Sequence, residues 1–170
     1  MSRDKNPRPT RRLTIELDSS LPADRVVAAG HDFTDRRIEI WPSVQRKHFR
    51  VHSIAGTFAD VTEGTNLFPI GPWFNWERCD YDWSQPGVVV ATMTDSNYAV
   101  SPSGWELRAT PTAGGSHIEL TWIRTLRSDL RGGVFDFLFS RFGRSLFGRD
   151  ARKMLRRLQR SEDRLRVAAA

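Results

Sequence analysis

The side chains best suited to proton transfer lie in the middle of the chain. Glu77, Asp80, Asp82 and Asp95 are interleaved with apolar residues, and Arg124 occurs in a later apolar run. If these groups faced one cavity, they would serve as general acids and bases on a carbonyl substrate. The competing interpretation is a solvated or ion-paired surface, because charged groups are rarely buried without a partner. The sequence therefore leaves the catalytic residues undetermined.

Histidine and cysteine give no pattern typical of a metal centre or an activated nucleophile. His48 and His52 would lie on one face of a strand about 13 Å apart, too far to share an ion. Cys79 is the single cysteine, so neither a disulfide nor a CxxC zinc site is available. HExxH, GxSxG, P-loop and GxGxxG motifs do not occur. We expect no metal and no cofactor, and whether the protein is an enzyme stays open.

The hydrophobic pattern predicts the elements that must position these residues. Leu13, Ile15 and Leu17 alternate with polar residues, which predicts a first strand. Two short helices should follow, at about 23–29, capped by Ser20 or Leu21, and at about 34–40. From residue 47 the period becomes two, which is typical of antiparallel strands. The six further strands are predicted at 48–54, 57–62, 74–83, 88–96, 103–110 and 117–126, with a loop at 67–72.

The last part of the chain predicts a long amphipathic helix. Apolar residues from Val134 to Leu165 follow three-and-four spacing, and arginines occupy much of the remaining surface. Gly143 and Gly148 predict a kink or break, because glycine weakens a helix interior. We therefore expect an α+β fold: a curved seven-stranded antiparallel sheet wrapped around a long C-terminal helix, with two short helices after strand one.

Length and charge define the domain organisation. The 170 residues suit one domain, which we place at 13–165, between a disordered basic arm at 1–12 and a disordered tail at 166–170. The net charge is +4 over residues 1–12, −5 over 13–130 and +7 over 131–170. Basic ends suit a phosphate-rich partner such as an anionic membrane, or they are simply solvated. Aromatic residues are not interleaved with the arginines, which disfavours nucleic acid.

The start of the chain carries no apolar run typical of a signal peptide. Together with the single cysteine, this predicts a cytoplasmic protein.

Several stretches resemble a known superfamily. These are PADRV after the first strand, HDFTDRRIEIWP over the second helix, AGTFADVTEG, YDWSQPGVV, and GSHIELTWIR before the last helix. The chain resembles the START-like (SRPBCC) superfamily, in particular its polyketide cyclase/dehydrase and lipid-transport-like group. The resemblance spans nearly the whole of 13–165 and implies the helix-grip fold. Because the matching stretches are scaffold and turn features, it implies the fold more than an activity.

The resemblance implies an apolar cavity between the sheet and the last helix. Strand alternation and helix spacing indicate which side chains would face it, although the same stripe is typical of a solid core. The expected ligand-binding residues are Trp76, Tyr81, Trp105, Leu107, Leu120, Trp122, Phe135, Leu138, Phe139 and Phe142.

Three functions are consistent with this layout. The first is binding of a small hydrophobic ligand, such as a lipid or polyketide-like molecule, for transport, sequestration or sensing. The second is a metal-free polyketide cyclase, aromatase or dehydratase, and the third is peripheral association with an anionic membrane through the arginine-rich helix. The aromatic run from Trp73 to Trp83 has two apolar faces, which makes a homodimer contact a candidate, with a structural aromatic cluster as the alternative.

Overall fold

The computed structural model describes residues 6–66 and 74–168. Its elements, in chain order, are β1 (Arg11–Ser19), α1 (Ala23–Gly30), α2 (Arg36–Ile40), a 3-10 turn (Arg46–His48), β2 (Arg50–Ala55), β3 (Phe58–Asn66), β4 (Phe74–Asp82), β5 (Val88–Ser96), β6 (Ala99–Thr112), β7 (Gly115–Leu126) and α3 (Leu130–Ala168). The loop predicted at 67–72 lies outside the described residues, as do 1–5 of the predicted arm.

The seven strands form one antiparallel sheet in the order β1-β7-β6-β5-β4-β3-β2. Alternation along each strand places one set of side chains on an inner face, which the helices cover. Val61, Leu107, Ile118 and Leu120 on this face are at most 1% exposed. The predicted α+β helix-grip architecture is confirmed.

Helices α1 and α2 fill one part of the inner face. Helix α1 begins after Pro22, and neither Ser20 nor Leu21 caps it as predicted. Proline is suited to this position because its missing N–H would have no helical partner. The amide of Leu21 instead bonds to the hydroxyl of Ser19 at 3.1 Å. Val26 and Ile40 then enter the core and are at most 1% exposed.

Helix α3 is continuous over 39 residues, so the break predicted at Gly143 or Gly148 is not present. Both glycines lie against β1. A Cβ atom at Gly143 would lie 3.3 Å from Leu13 Cδ2, and one at Gly148 would lie 3.8 Å from Ile15 Cδ1. The two glycines therefore allow the helix to approach the edge strand closely.

Both ends of the chain continue past the predicted domain limits. β1 begins at Arg11, and the Arg11 Nε atom donates to Asp136 of α3 at 2.5 Å. The Arg8 amide donates to the Leu126 carbonyl at 2.9 Å. Helix α3 continues to Ala168. Part of the segment expected to be a disordered arm is therefore hydrogen-bonded to the rest of the domain.

No helix within 6–66 and 74–168 is long and apolar enough to cross a membrane.

Candidate functional site

Two carboxylates face each other on the inner face of the sheet. Glu63 of β3 and Glu77 of β4 are partners in the strand register. Directly opposed residues have Cβ atoms about 5 Å apart, so two like charges there would repel unless each is neutralised. Each glutamate meets a different arginine and a different tyrosine.

Glu63 belongs to a closed triangle with Arg37 of α2 and Tyr81 of β4. Arg37 Nε donates to Glu63 Oε1 at 2.6 Å, and the Tyr81 hydroxyl donates to Oε2 at 2.9 Å. A second Arg37 nitrogen donates to the Tyr81 oxygen at 3.2 Å. Arg37 is 1% exposed and also donates to the Gly30 carbonyl at 2.8 Å. This triangle joins α1, α2 and the sheet.

Glu77 belongs to a similar group with Arg124 of β7 and Tyr98. The Tyr98 hydroxyl donates to Glu77 Oε2 at 2.8 Å, and an Arg124 nitrogen lies 3.2 Å from the same oxygen. Arg124 is 5% exposed, whereas the Glu77 side chain keeps 15% of its surface. The pair therefore lies at one end of the inner face, and its glutamate side chain is not completely covered by the protein.

Burial and charge together set the protonation states here. Burial raises the pKa of the Cys79 thiol and of the Tyr81 and Tyr98 hydroxyls. Burial lowers the pKa of Arg124, but Glu77 together with Tyr98 and Cys79 outweighs it, so this pKa is raised overall. In the same way, Glu63 and Tyr81 together outweigh burial and raise the pKa of Arg37. The two tyrosines and the thiol are therefore neutral and lie beside two ion pairs. Together these groups form a structural network whose polar atoms a ligand can contact.

The acid–base candidates separate between the two faces of the sheet. Glu77 and Arg124 meet on the inner face, whereas Asp80 and Asp95 are exposed to solvent. Asp82 accepts from the amide of Ser84 at 2.8 Å, in the turn after β4. Arg37, Glu63 and Tyr98 were missed by the sequence analysis. Strand alternation alone places Glu63 beside Val61 on the inner face, but no sequence pattern identifies Arg37 as its partner.

Four of the expected ligand-binding residues lie deep in the core. Tyr81, Trp105, Leu107 and Leu120 are between 0% and 7% exposed. The Trp105 ring lies 5.6 Å from the rings of both Tyr81 and Trp41. These side chains pack beneath α1 and the end of α2.

Others of the expected residues lie half-buried between the sheet and the first half of α3. Trp122 of β7 contacts Phe147 with ring centroids 4.7 Å apart, and Phe139 contacts Phe147 at 5.5 Å. Phe135 lies 4.7 Å from Tyr98, which joins these rings to the Glu77–Arg124 pair. Leu138 is also half-buried on this helix. We call Tyr98, Trp122, Phe135, Phe139 and Phe147 the helix–sheet aromatic cluster.

Two expected residues lie elsewhere. Phe142 is 46% exposed and lines a groove of about 510 Å³ between α3 and β1. Trp76 is on the opposite face of β4 from Glu77, and its amide donates to Asn97 Oδ1 at 3.1 Å.

The aromatic run of β4 makes local contacts. Phe74 stacks on His48 and Trp83 stacks on His31, each with centroids 4.8 Å apart. Trp73 lies outside the described residues. Within 6–66 and 74–168, no group of three or more His, Cys, Asp or Glu side chains is arranged to hold a metal ion.

The chain is similar to one described family and to many solved structures. Residues 10–161 match the family described as "Polyketide cyclase / dehydrase and lipid transport". A search of curated proteins returns no match.

Three solved structures illustrate the structural likeness. The Zhui aromatase/cyclase from a Streptomyces species has a TM-score of 0.72 and 15% identity, covering 89% of this chain and 95% of its own. A protein from Thermus thermophilus has a TM-score of 0.68 and 12% identity, covering 90% and 99%. A START superfamily protein from Mycobacterium smegmatis has a TM-score of 0.62 and 10% identity, covering 89% and 97%. These likenesses show the shared fold.

Proposed function

Since this chain belongs to the polyketide cyclase/dehydrase and lipid transport family, we propose that it binds a small hydrophobic molecule between the sheet and the first half of α3. The ligand class is a lipid or a polyketide-like ring system. Ligand sites in proteins are mostly apolar with a few placed polar groups. The helix–sheet aromatic cluster has this composition, with Glu77 and Arg124 as its polar end.

Uneven coverage of the inner face carries the proposal. Leu120 and Trp105 are 1% and 7% exposed, but Trp122, adjacent to both in the strand pattern, is only half-buried. Phe135 and Phe139 on α3 are half-buried as well. Large aromatic side chains gain most when they are fully covered. An apolar ligand seated among them would complete this burial, whereas the region beneath α1 and the end of α2 is already filled by protein side chains.

Titration with the neutral apolar fluorophore N-phenyl-1-naphthylamine tests this site. We expect saturable binding by the wild type and binding at least about tenfold weaker in Phe139→Ala, because a buried aromatic contact is removed. Phe137→Ala is the matched control, since it removes the same side chain from the same helix at a position 62% exposed. Absence of saturable binding, or equal losses in the two variants, would contradict the proposal.

Native mass spectrometry of the protein purified from its own cells then identifies the natural ligand. A retained hydrophobic molecule at one per chain is the expected outcome. Its loss in Phe139→Ala and retention in Phe137→Ala would place it at the same site as the fluorophore.

A cyclase or dehydratase activity is the second candidate, and the contact between Tyr98 and Phe135 favours it. A ligand carbonyl beside Phe135 would come close to the Tyr98 hydroxyl and the Arg124 guanidinium, two donors that would stabilise negative charge on its oxygen, with Glu77 as a candidate base. Tyr98→Phe keeps the ring and removes only the hydroxyl. If the protein turns over its retained molecule, this variant should bind it but convert it more slowly. Unchanged conversion would exclude Tyr98 from the chemistry.

A further inference from the structure

The outer surface of α3 exposes an aromatic pair beside arginine side chains. Phe137 is 62% exposed and Phe142 is 46% exposed, and their rings lie 6.1 Å apart. Leu130, at the start of the same helix, is 76% exposed. Single exposed apolar residues are ordinary, but two exposed aromatic rings in contact on one helix are typical of a contact surface.

Arginines flank this pair. The Arg141 guanidinium lies 6.0 Å from the centroid of the Phe142 ring. Arg141, Arg144 and Arg152 line the groove between α3 and β1, together with Phe142 and a single carboxylate, Glu16. Within 6–66 and 74–168, none of these three arginines forms an ion pair. We call Leu130, Phe137, Arg141, Phe142 and Arg144 the outer patch of α3.

Some arginines of the sheet and α2 are paired within the protein itself. Arg37, Arg78 and Arg124 each contact a carboxylate of the chain. Residues 131–170 carry eleven basic and four acidic side chains, so α3 has too few carboxylates to neutralise itself. The net charge of −5 over residues 13–130 offsets part of this excess, and the exposed arginines of α3 are neutralised by small ions or by an anionic partner.

We propose that the outer patch of α3 docks the protein on an anionic phospholipid bilayer. Exposed Phe and Leu side chains insert at the boundary between headgroups and acyl chains, and neighbouring arginines bind lipid phosphates. Anionic lipid matches both halves of the patch, because it presents phosphate and hydrocarbon together. Nucleic acid supplies the phosphate, but it offers no hydrocarbon phase for the exposed Leu130 side chain.

The proposal also relates the two faces of α3. Phe135 and Phe139 belong to the helix–sheet aromatic cluster, while Phe137 and Phe142 of the same half of the helix are exposed. Docking through the outer patch would bring the proposed ligand site to the membrane surface. The docking itself does not depend on that site.

Vesicle cosedimentation of the full chain tests the proposal. We expect binding to vesicles of phosphatidylcholine with phosphatidylglycerol, weak binding to phosphatidylcholine alone, and loss of most binding at high salt. Arg141→Gln with Arg144→Gln should weaken partitioning about 30-fold, from the free energy expected per cation at an anionic surface. Phe137→Ser with Phe142→Ser should weaken it on the order of tenfold.

Lys47→Gln with Arg50→Gln is the matched control. Both residues are exposed on other elements, so this variant loses the same net charge away from α3 and should bind like the wild type. If the Lys47/Arg50 variant and the Arg141/Arg144 variant weakened binding equally, the effect would come from net charge alone, and the proposal would be overturned. Absence of binding to both vesicle types would do the same.

Two further outcomes would reassign the surface. Binding of a DNA duplex without vesicle binding would make nucleic acid the partner. A dimer that the Phe137→Ser and Phe142→Ser variant converts to a monomer, again without vesicle binding, would make a second copy the occupant. Retained binding of N-phenyl-1-naphthylamine by the outer-patch variants would separate failure of docking from failure of the ligand site.

Discussion

At the scale of single residues, the two glutamates of the inner face dominate the electrostatics. Glu63 is 8% exposed and both of its oxygens accept hydrogen bonds, one from Arg37 and one from Tyr81. Removing one partner of a buried ion pair leaves an uncompensated charge, which is more costly than the pair itself is favourable. The pair therefore fixes how α2 sits on the sheet more than it adds net stability.

Substituting Glu63→Gln should lower the free energy of unfolding by about 3–5 kcal/mol, because Arg37 would remain buried without a counter-charge. Glu106→Gln is the matched control on a half-exposed pair with Arg108, and it should cost less than about 1 kcal/mol. Urea unfolding of both variants measures the difference. Equal losses would mean that water reaches the Arg37 site and screens its charge.

Two histidines should have pKa values on opposite sides of the ordinary value of 6.5. Burial lowers the pKa of His31, which stacks on Trp83. The hydrogen bond to Asp18, at 2.8 Å, raises the pKa of His117. Acidification below 6.5 therefore destabilises the fold through His31, because the unfolded chain binds that proton more readily. The contribution of His117 is fully present below 6.5 and is lost as pH rises through its higher folded pKa.

An NMR titration of the imidazole resonances checks this order. His31 should titrate below 6.5 and His117 above it. Asp18→Asn should return the pKa of His117 toward 6.5 and leave the pKa of His31 unchanged. A common titration midpoint for both rings would contradict the assignment.

At the scale of elements, strand alternation in the sequence predicted most of the fold. The strand predicted at 88–96 is observed as Val88–Ser96, because β5 is flanked by clear turn residues. Contacts between residues far apart in the sequence were not predictable: Arg37 and Glu63 meet only because the fold brings α2 within side-chain reach of β3. Helical spacing predicted the residues that α3 contributes to the candidate site. It did not distinguish Phe139, which faces inward, from Phe142, which is exposed. That distinction depends on how the helix rotates against β1.

The glycines of α3 give a test of that helix–strand contact. A methyl at Gly148 would meet only ordinary contacts, at 3.6 Å or more, so Gly148→Ala should raise the free energy of unfolding by up to about 1 kcal/mol through helix propensity. At Gly143 the new methyl would lie 3.3 Å from Leu13, which must shift. Gly143→Ala should therefore gain less than Gly148→Ala in thermal unfolding. The reverse order would show that Leu13 moves freely.

At the scale of the whole molecule, the two halves of α3 are anchored differently. Ala151, Met154, Leu155 and Leu158 belong to the core and are at most 8% exposed. Between residues 130 and 149, all of which the structure describes, the buried positions are all glycines. The first half of the helix therefore rests on the half-buried aromatic cluster and on the ion pair between Arg11 and Asp136. The second half is held by the core.

This asymmetry predicts how the molecule opens. Segments with few buried apolar contacts unfold locally at lower free energy than the core. Amides of residues 130–149 should exchange with deuterium faster than those of 151–162. Saturating N-phenyl-1-naphthylamine should slow exchange in the first half only, because the ligand supplies the contacts that the protein lacks there. Equal protection of the two halves in the free protein would mean that the aromatic cluster is already a closed core, and a ligand site beneath α3 would then have no opening.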